Sequence, residues 1–148
     1  MENKTFVASA FKTFDLKLGT LAERIAFQKT IYLMQQLGSG TNFNFIWHNF
    51  GPYSFELAAM GQFMSNTEKQ EAEILTCKAS IDFRELKKGE ERNSKFLEMM
   101  ADIVFLTKNA GIHGEEAIFN ELCRHRSYLN DQNLFKLSIQ RLKTFNLI

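Results

Sequence analysis

The chain has 148 residues and a net charge of +1, from 18 lysines and arginines against 17 aspartates and glutamates. That length favours a single domain with a sizeable core, and so small a charge supplies no global field to pull the chain onto nucleic acid or an acidic membrane. No apolar run approaches the ~18 residues of a membrane span, and Met1-Glu2-Asn3-Lys4 is not followed by the apolar stretch of a signal peptide.

In chain order, Phe6 to Lys17 reads as a short helix with Phe6, Ala10, Phe11 and Phe14 on one side, broken by Gly19. Thr20-Leu21-Ala22-Glu23 is a capping box, in which the Thr hydroxyl accepts from the Glu23 amide and Glu23 reaches back. It opens a helix to about Leu37, with Gly38 as its stop. Ile25, Phe27, Ile31, Tyr32, Leu33, Met34 and Leu37 cover most of its circumference, the mark of a central, buried helix. Phe43, Phe45 and Trp47 then alternate with Asn44, Ile46 and His48, a period of two that predicts a short strand or extended segment with an aromatic face. Gly51-Pro52 is read as its end, because Pro52 lacks an amide hydrogen and biases Gly51 away from helical angles. Ser54 is the expected N-cap of the next helix, whose core stripe is Leu57, Met60, Phe63 and Met64. The polar run Ser65 to Ala72 is read as that helix's end.

Leu75, Cys77, Ala79, Ile81 and Phe83 alternate, so Ile74 to Phe83 is read as a strand or irregular segment. Lys87 to Arg92 is a charged turn, Ser94 to Lys108 a strong helix stopped by Asn109-Ala110-Gly111, and Gly114 to His125 a further helix. Asp131 caps the last. Helices that outnumber strands in this way predict an α+β, mainly helical domain, winged-helix-like in organisation, with a short aromatic strand or hairpin.

Fifteen phenylalanines against one proline suit a regular, Phe-rich core. Cys77 and Cys123 lack CxxC spacing and are read as free thiols in a reducing cytoplasm. His48, His113 and His125 have no metal-ligand spacing, either with one another or with a cysteine, so neither a metal nor a cofactor is expected. Cys123 and His125 stand two apart on a helix and point to different faces. No GxSxG elbow, Walker loop or GxGxxG occurs, and the chain is read as a non-enzyme. His48 is read first as a structural imidazole. Lys29, inside the most apolar helix, needs a partner or loses its charge, and a tie to the Gly51-Pro52 corner is the simplest arrangement. Tyr53 is the candidate aromatic contact for something outside the domain. A second reading makes the protein a nucleic-acid-binding regulator acting through Arg124, Arg126, Lys136 and Arg141.

The run Arg24-Ile25-Ala26-Phe27-Gln28-Lys29-Thr30-Ile31-Tyr32-Leu33-Met34, followed by Phe45-Ile46-Trp47-His48-Asn49-Phe50-Gly51-Pro52-Tyr53-Ser54, resembles the YwgA-like proteins and, more distantly, the SocA-like antitoxin or Panacea domain. These share a Lys-x-x-Tyr helix, an aromatic segment and a Gly-Pro corner that opens the next helix. The resemblance extends from about Leu21 to Leu142 and is most specific in its first third. Lys29, Tyr32, Trp47, Gly51, Pro52 and Tyr53 carry the pattern. Tyr53 stands where the Panacea form commonly has a small apolar residue, which puts the chain on the YwgA-like side. The resemblance implies a protein-interaction domain whose partner is a toxin or defence effector, in toxin-antitoxin or antiviral settings.

Overall fold

Thr20 and Glu23 form the capping box that the sequence predicts, each side chain bonded to the other's backbone amide. The computed structural model describes residues 2–148; Met1, where the reading of the N-terminus begins, lies outside them. The helix opened by the box, α2, spans Leu21–Gln36, and Leu37 and Gly38 end it. It follows α1, Asn3–Phe14, which starts and stops three residues earlier than predicted. Asp15, in the left-handed region at φ 50°, ends α1 before Gly19 is reached.

The aromatic segment is half of a hairpin. Strand β1, Ile46–His48, pairs antiparallel with β2, Gly51–Tyr53, in the register Ile46–Tyr53, Trp47–Pro52 and His48–Gly51. Gly51-Pro52 therefore does not end the extended segment; it begins the return strand. Proline is tolerated there because the sheet has only two strands, so both are edges. Ser54 caps α3, Phe55–Phe63, by accepting from the Leu57 amide. Leu57 and Met64 are buried as expected, but Phe63 points outward and is 81% exposed.

Two expectations fail between residues 65 and 86. Ser65 and Glu68 form a second capping box and open a short helix, α4, Asn66–Glu71, where the sequence reading has only a helix end. The predicted strand over Ile74 to Phe83 is largely a helix, α5, Lys78–Leu86. Ala79, Ser80, Phe83 and Leu86 are its buried positions, spaced as one helical face, whereas Cys77 and Ile81 are exposed. Alternation over so few residues does not separate a strand from a helix whose buried face is narrow.

Helix α6, Ser94–Lys108, has the predicted bounds, with Asn93 as its N-cap. Eleven successive residues, Phe96 to Leu106, are buried, so α6 is more enclosed than α2. It packs against α2, β2, α7 (Glu115–His125) and α8 (Gln132–Thr144), which Asp131 caps as predicted. A 3-10 turn, η1, at Ser127–Leu129 joins the last two helices. Among the described residues the architecture is eight α-helices and one two-stranded hairpin, the mainly helical α+β class the sequence predicts. None of these helices is long and apolar enough to cross a membrane. The core joins α1, α2, α5, α6 and α8, with Phe11 stacked on Phe27 at 4.9 Å.

Candidate functional site

Helix α2 grips the stretch from Phe43 to Ser54 at three points. Gln35 accepts from the Phe43 amide (2.9 Å) and donates to the Phe43 carbonyl (2.9 Å). Gln28, two turns earlier, does the same to Ser54, accepting from its amide at 2.9 Å and donating to its carbonyl at 3.0 Å. Between them Lys29 Nζ donates to the Pro52 carbonyl at 2.9 Å. Each glutamine replaces the strand partner that an isolated hairpin lacks, so buried backbone groups are satisfied. The expected tie between Lys29 and the Gly-Pro corner is present and buried; Lys29 is only 1% exposed.

Beneath the hairpin lies a cluster of buried charge. Arg126 Nε stands 3.0 Å from Glu98 Oε1, Arg126 Nη2 pairs with Asp102, and Arg126 Nη1 donates to the Asn49 carbonyl at 3.3 Å. The two carboxylate contacts are ion pairs rather than linear hydrogen bonds. Tyr128 donates its hydroxyl to Glu98, and burial, reinforced by that bond, raises the Tyr128 pKa. Asp102 Oδ1 receives no hydrogen bond and faces Gly51, where φ is +93°. A Cβ there would run into that oxygen and stand 3.2 Å from Lys29 Nζ, so the position requires glycine. Burial, helped by the positive Arg126 and opposed by Glu98, lowers the Lys29 pKa to about 7. Arg126 faces both Glu98 and Asp102, and Lys29, when protonated, balances the second carboxylate, which is how so many ionisable groups are accommodated in the interior.

The hairpin's outer surface is aromatic. His48 stacks on Tyr53 at 5.0 Å, and Phe55 meets both edge-on, at 5.5 Å and 5.0 Å. Phe55 is 60% exposed and Tyr53 is half-buried. On α3, Phe55, Ala59 and Phe63 are all exposed and four residues apart, so they continue the patch as one stripe roughly 12 Å long. Trp47 points the other way: its indole N–H donates to His125 Nε2 at 2.8 Å, and its ring leans on Phe105 at 5.5 Å. Beside the hairpin, between α2, α3 and α4, runs a groove of about 830 Å³.

The structure gathers the residues singled out in the sequence but divides their duties. Lys29, Gly51 and Pro52 are buried and structural. Tyr32 is a core ring against Phe45 at 4.9 Å; its hydroxyl is buried without a partner, and burial raises its pKa. Trp47 is half-buried, leaving His48 and Tyr53 as the accessible members of the pattern. His48, read first as a structural imidazole, is an exposed ring stacked on Tyr53.

The basic set disperses. Arg126 is interior, which removes it from any surface that could meet a phosphate. Arg124 is paired with Glu121, and Arg141 donates to the Leu86 carbonyl at the end of α5, while Lys136 is exposed on α8. Cys77 and Cys123 are free thiols, with burial raising the Cys123 pKa; His125 is engaged by Trp47, not by Cys123. Glu98 and Asp102 carry a sequence signal of their own: two acids four apart inside an apolar helix share a face and demand partners. Gln28 and Gln35 carry a weaker signal, as amides seven apart on a buried helix. Comparison of the chain with family models, curated proteins and solved structures returns no match.

Proposed function

We propose that this chain is a non-enzymatic protein-interaction domain of the antitoxin or defence-accessory kind, working in the cytoplasm, as its resemblance to YwgA-like and SocA-like (Panacea) proteins implies. The observation that carries the reading is the exposed stripe of Tyr53, Phe55, Ala59 and Phe63, continuous with His48. Contiguous exposed apolar surface marks an interaction site, unlike scattered apolar residues. Rigid aromatic side chains are also effective interface anchors, because little conformational freedom is lost on binding. The glutamine clamps and buried charges beneath hold these rings in a fixed arrangement before a partner arrives.

The test is co-expression with the product of the adjacent gene, followed by size-exclusion chromatography at low and high salt. A stoichiometric complex that survives high salt and is lost on Tyr53→Ala or Phe55→Ala, with the variants still folded, supports the reading. A complex that both variants retain removes the aromatic face from consideration. Steep loss of nucleic-acid binding with salt would instead favour the regulator reading.

A further inference from the structure

The groove between α2, α3 and α4 collects positive charge without any carboxylate. Arg24, Lys29 and Lys69 line it, and no aspartate or glutamate does. The other sizeable clefts are mixed: one sets Lys4 beside Glu68, Glu71 and Glu73, another sets Arg84 and Lys88 beside Glu85 and Glu91, and a third sets Lys29 beside Glu98. In a chain with 18 bases and 17 acids, such segregation is a local feature rather than a result of composition.

Arg24 and Lys69 are also unclaimed by acids. Arg24 Nη1 donates to the Leu18 carbonyl at 3.1 Å, Lys29 donates to the Pro52 carbonyl, and Lys69 Nζ sits 4.1 Å from the centre of the Phe11 ring. None has a carboxylate within 4.0 Å among the described residues. Arg24 and Lys69, whose side chains reach solvent, have capacity left for an anion, whereas Lys29 is buried beneath them and committed to Pro52.

The rest of the groove is apolar. Leu18, Leu21 and Ile25 line it with accessible apolar surface, over the buried Phe27 and Met64, and Gly61 lets α3 pack close to the Phe27 ring, which a Cβ there would meet at 2.8 Å. His48 and Tyr53 line it at the hairpin. A volume of about 830 Å³ falls within the range of small-molecule sites, which pair an apolar lining with a few polar groups that fix orientation.

From this segregation we infer that the groove is a binding site for a small amphipathic anion: a carboxylate or phosphate carried on an apolar chain or ring. The apolar portion lies on Leu18, Leu21 and Ile25 and the anionic group meets Arg24 and Lys69. The groove shares His48 and Tyr53 with the aromatic face, but Arg24 and Lys69 lie outside that face, so the two readings fail separately.

Isothermal titration of the full chain with two pairs of probes tests it: octanoate against octanol, and adenosine monophosphate against adenosine. The expected result is one-to-one binding of at least one anion, about tenfold or more tighter than its neutral counterpart. Arg24→Gln and Lys69→Gln each weaken that binding several-fold, whereas Arg124→Gln, at an exposed pair on α7, leaves it unchanged. Both test substitutions fall on accessible side chains, and circular dichroism checks that the variants are folded. If neither anion binds, if the neutral probes bind equally well, or if the two substitutions have no effect, the inference is overturned.

Discussion

Replacing Gly51 by alanine tests whether the buried charges under the hairpin require a bare backbone. Gly51 and Gly38 share a φ of +93°, so alanine meets the same kind of left-handed strain at each, about 1–2 kcal/mol. At Gly38 a new Cβ finds no atom within 4 Å, and strain is the whole cost. At Gly51 it meets Asp102 Oδ1 and comes within 3.2 Å of Lys29 Nζ. Asp102 then has to move from its place beside Arg126, or the hairpin has to lift off α6. Overpacking of this kind costs about 1–3 kcal/mol more, so Gly51→Ala is expected to lose roughly 2–5 kcal/mol in all. For a chain of this length each kcal/mol shifts Tm by about 2–4 °C. Gly51→Ala therefore melts several degrees below Gly38→Ala in paired thermal and urea denaturation followed by circular dichroism. Equal losses within about 0.5 kcal/mol would show that the contact with Asp102 carries no weight and that strain alone demands glycine.

Two further outcomes follow from the charge cluster. Arg126→Ala leaves Glu98 and Asp102 buried without their counter-ion and is expected to cost about 3–5 kcal/mol in urea denaturation; Arg124→Ala, at an exposed pair two residues away, leaves the unfolding midpoint nearly unchanged, and similar midpoints for the two variants would contradict the structure. Because burial lowers Lys29 from 10.5 to about 7, the unfolded chain binds more protons between those values, so stability rises with pH across that window, by up to about 1.4 kcal/mol per unit. Lys87, also lowered by burial, acts in the same direction. Urea midpoints measured from about pH 7 to 9.5 should show the rise, and Lys29→Met should remove most of it; a slope unchanged in that variant would count against Lys29 as its source.

Local signals were legible wherever one turn of chain decides its own structure. The Thr20–Glu23 box, the Ser54 and Asp131 caps and the bounds of α6 depend on hydrogen bonds between neighbours, so residue type and spacing suffice. The tie from Lys29 to the Gly51-Pro52 corner was also legible, because a lysine inside an apolar helix has few other ways to be satisfied. By the same reasoning Glu98 and Asp102 on α6 announced a partner, but nothing in their spacing named Arg126, which lies 24 residues beyond Asp102 in the sequence.

Tertiary contacts decided the rest. Period two over Leu75 to Phe83 suited a strand, but packing buried Ala79, Ser80, Phe83 and Leu86 on one face and left Cys77 and Ile81 exposed, and the segment from Lys78 is a helix. Phe63 fits the core stripe by spacing, yet α3 is turned so that Phe63 and Phe55 face outward, and no local pattern distinguishes a core phenylalanine from an exposed one. Arg124 and Arg126 are alike in sequence; one ends on the surface and the other beneath the hairpin, because the chain leaves the helix at Arg126 and enters η1. The sequence by itself determined α2, α3, α6 and α8, the caps of Thr20, Ser54 and Asp131, and the tie of Lys29 to the corner. Which faces the helices bury, and hence which aromatic and basic side chains remain free to meet a ligand, was decided by how α2 and α6 close around that corner, since burial depends on neighbours distant in the chain.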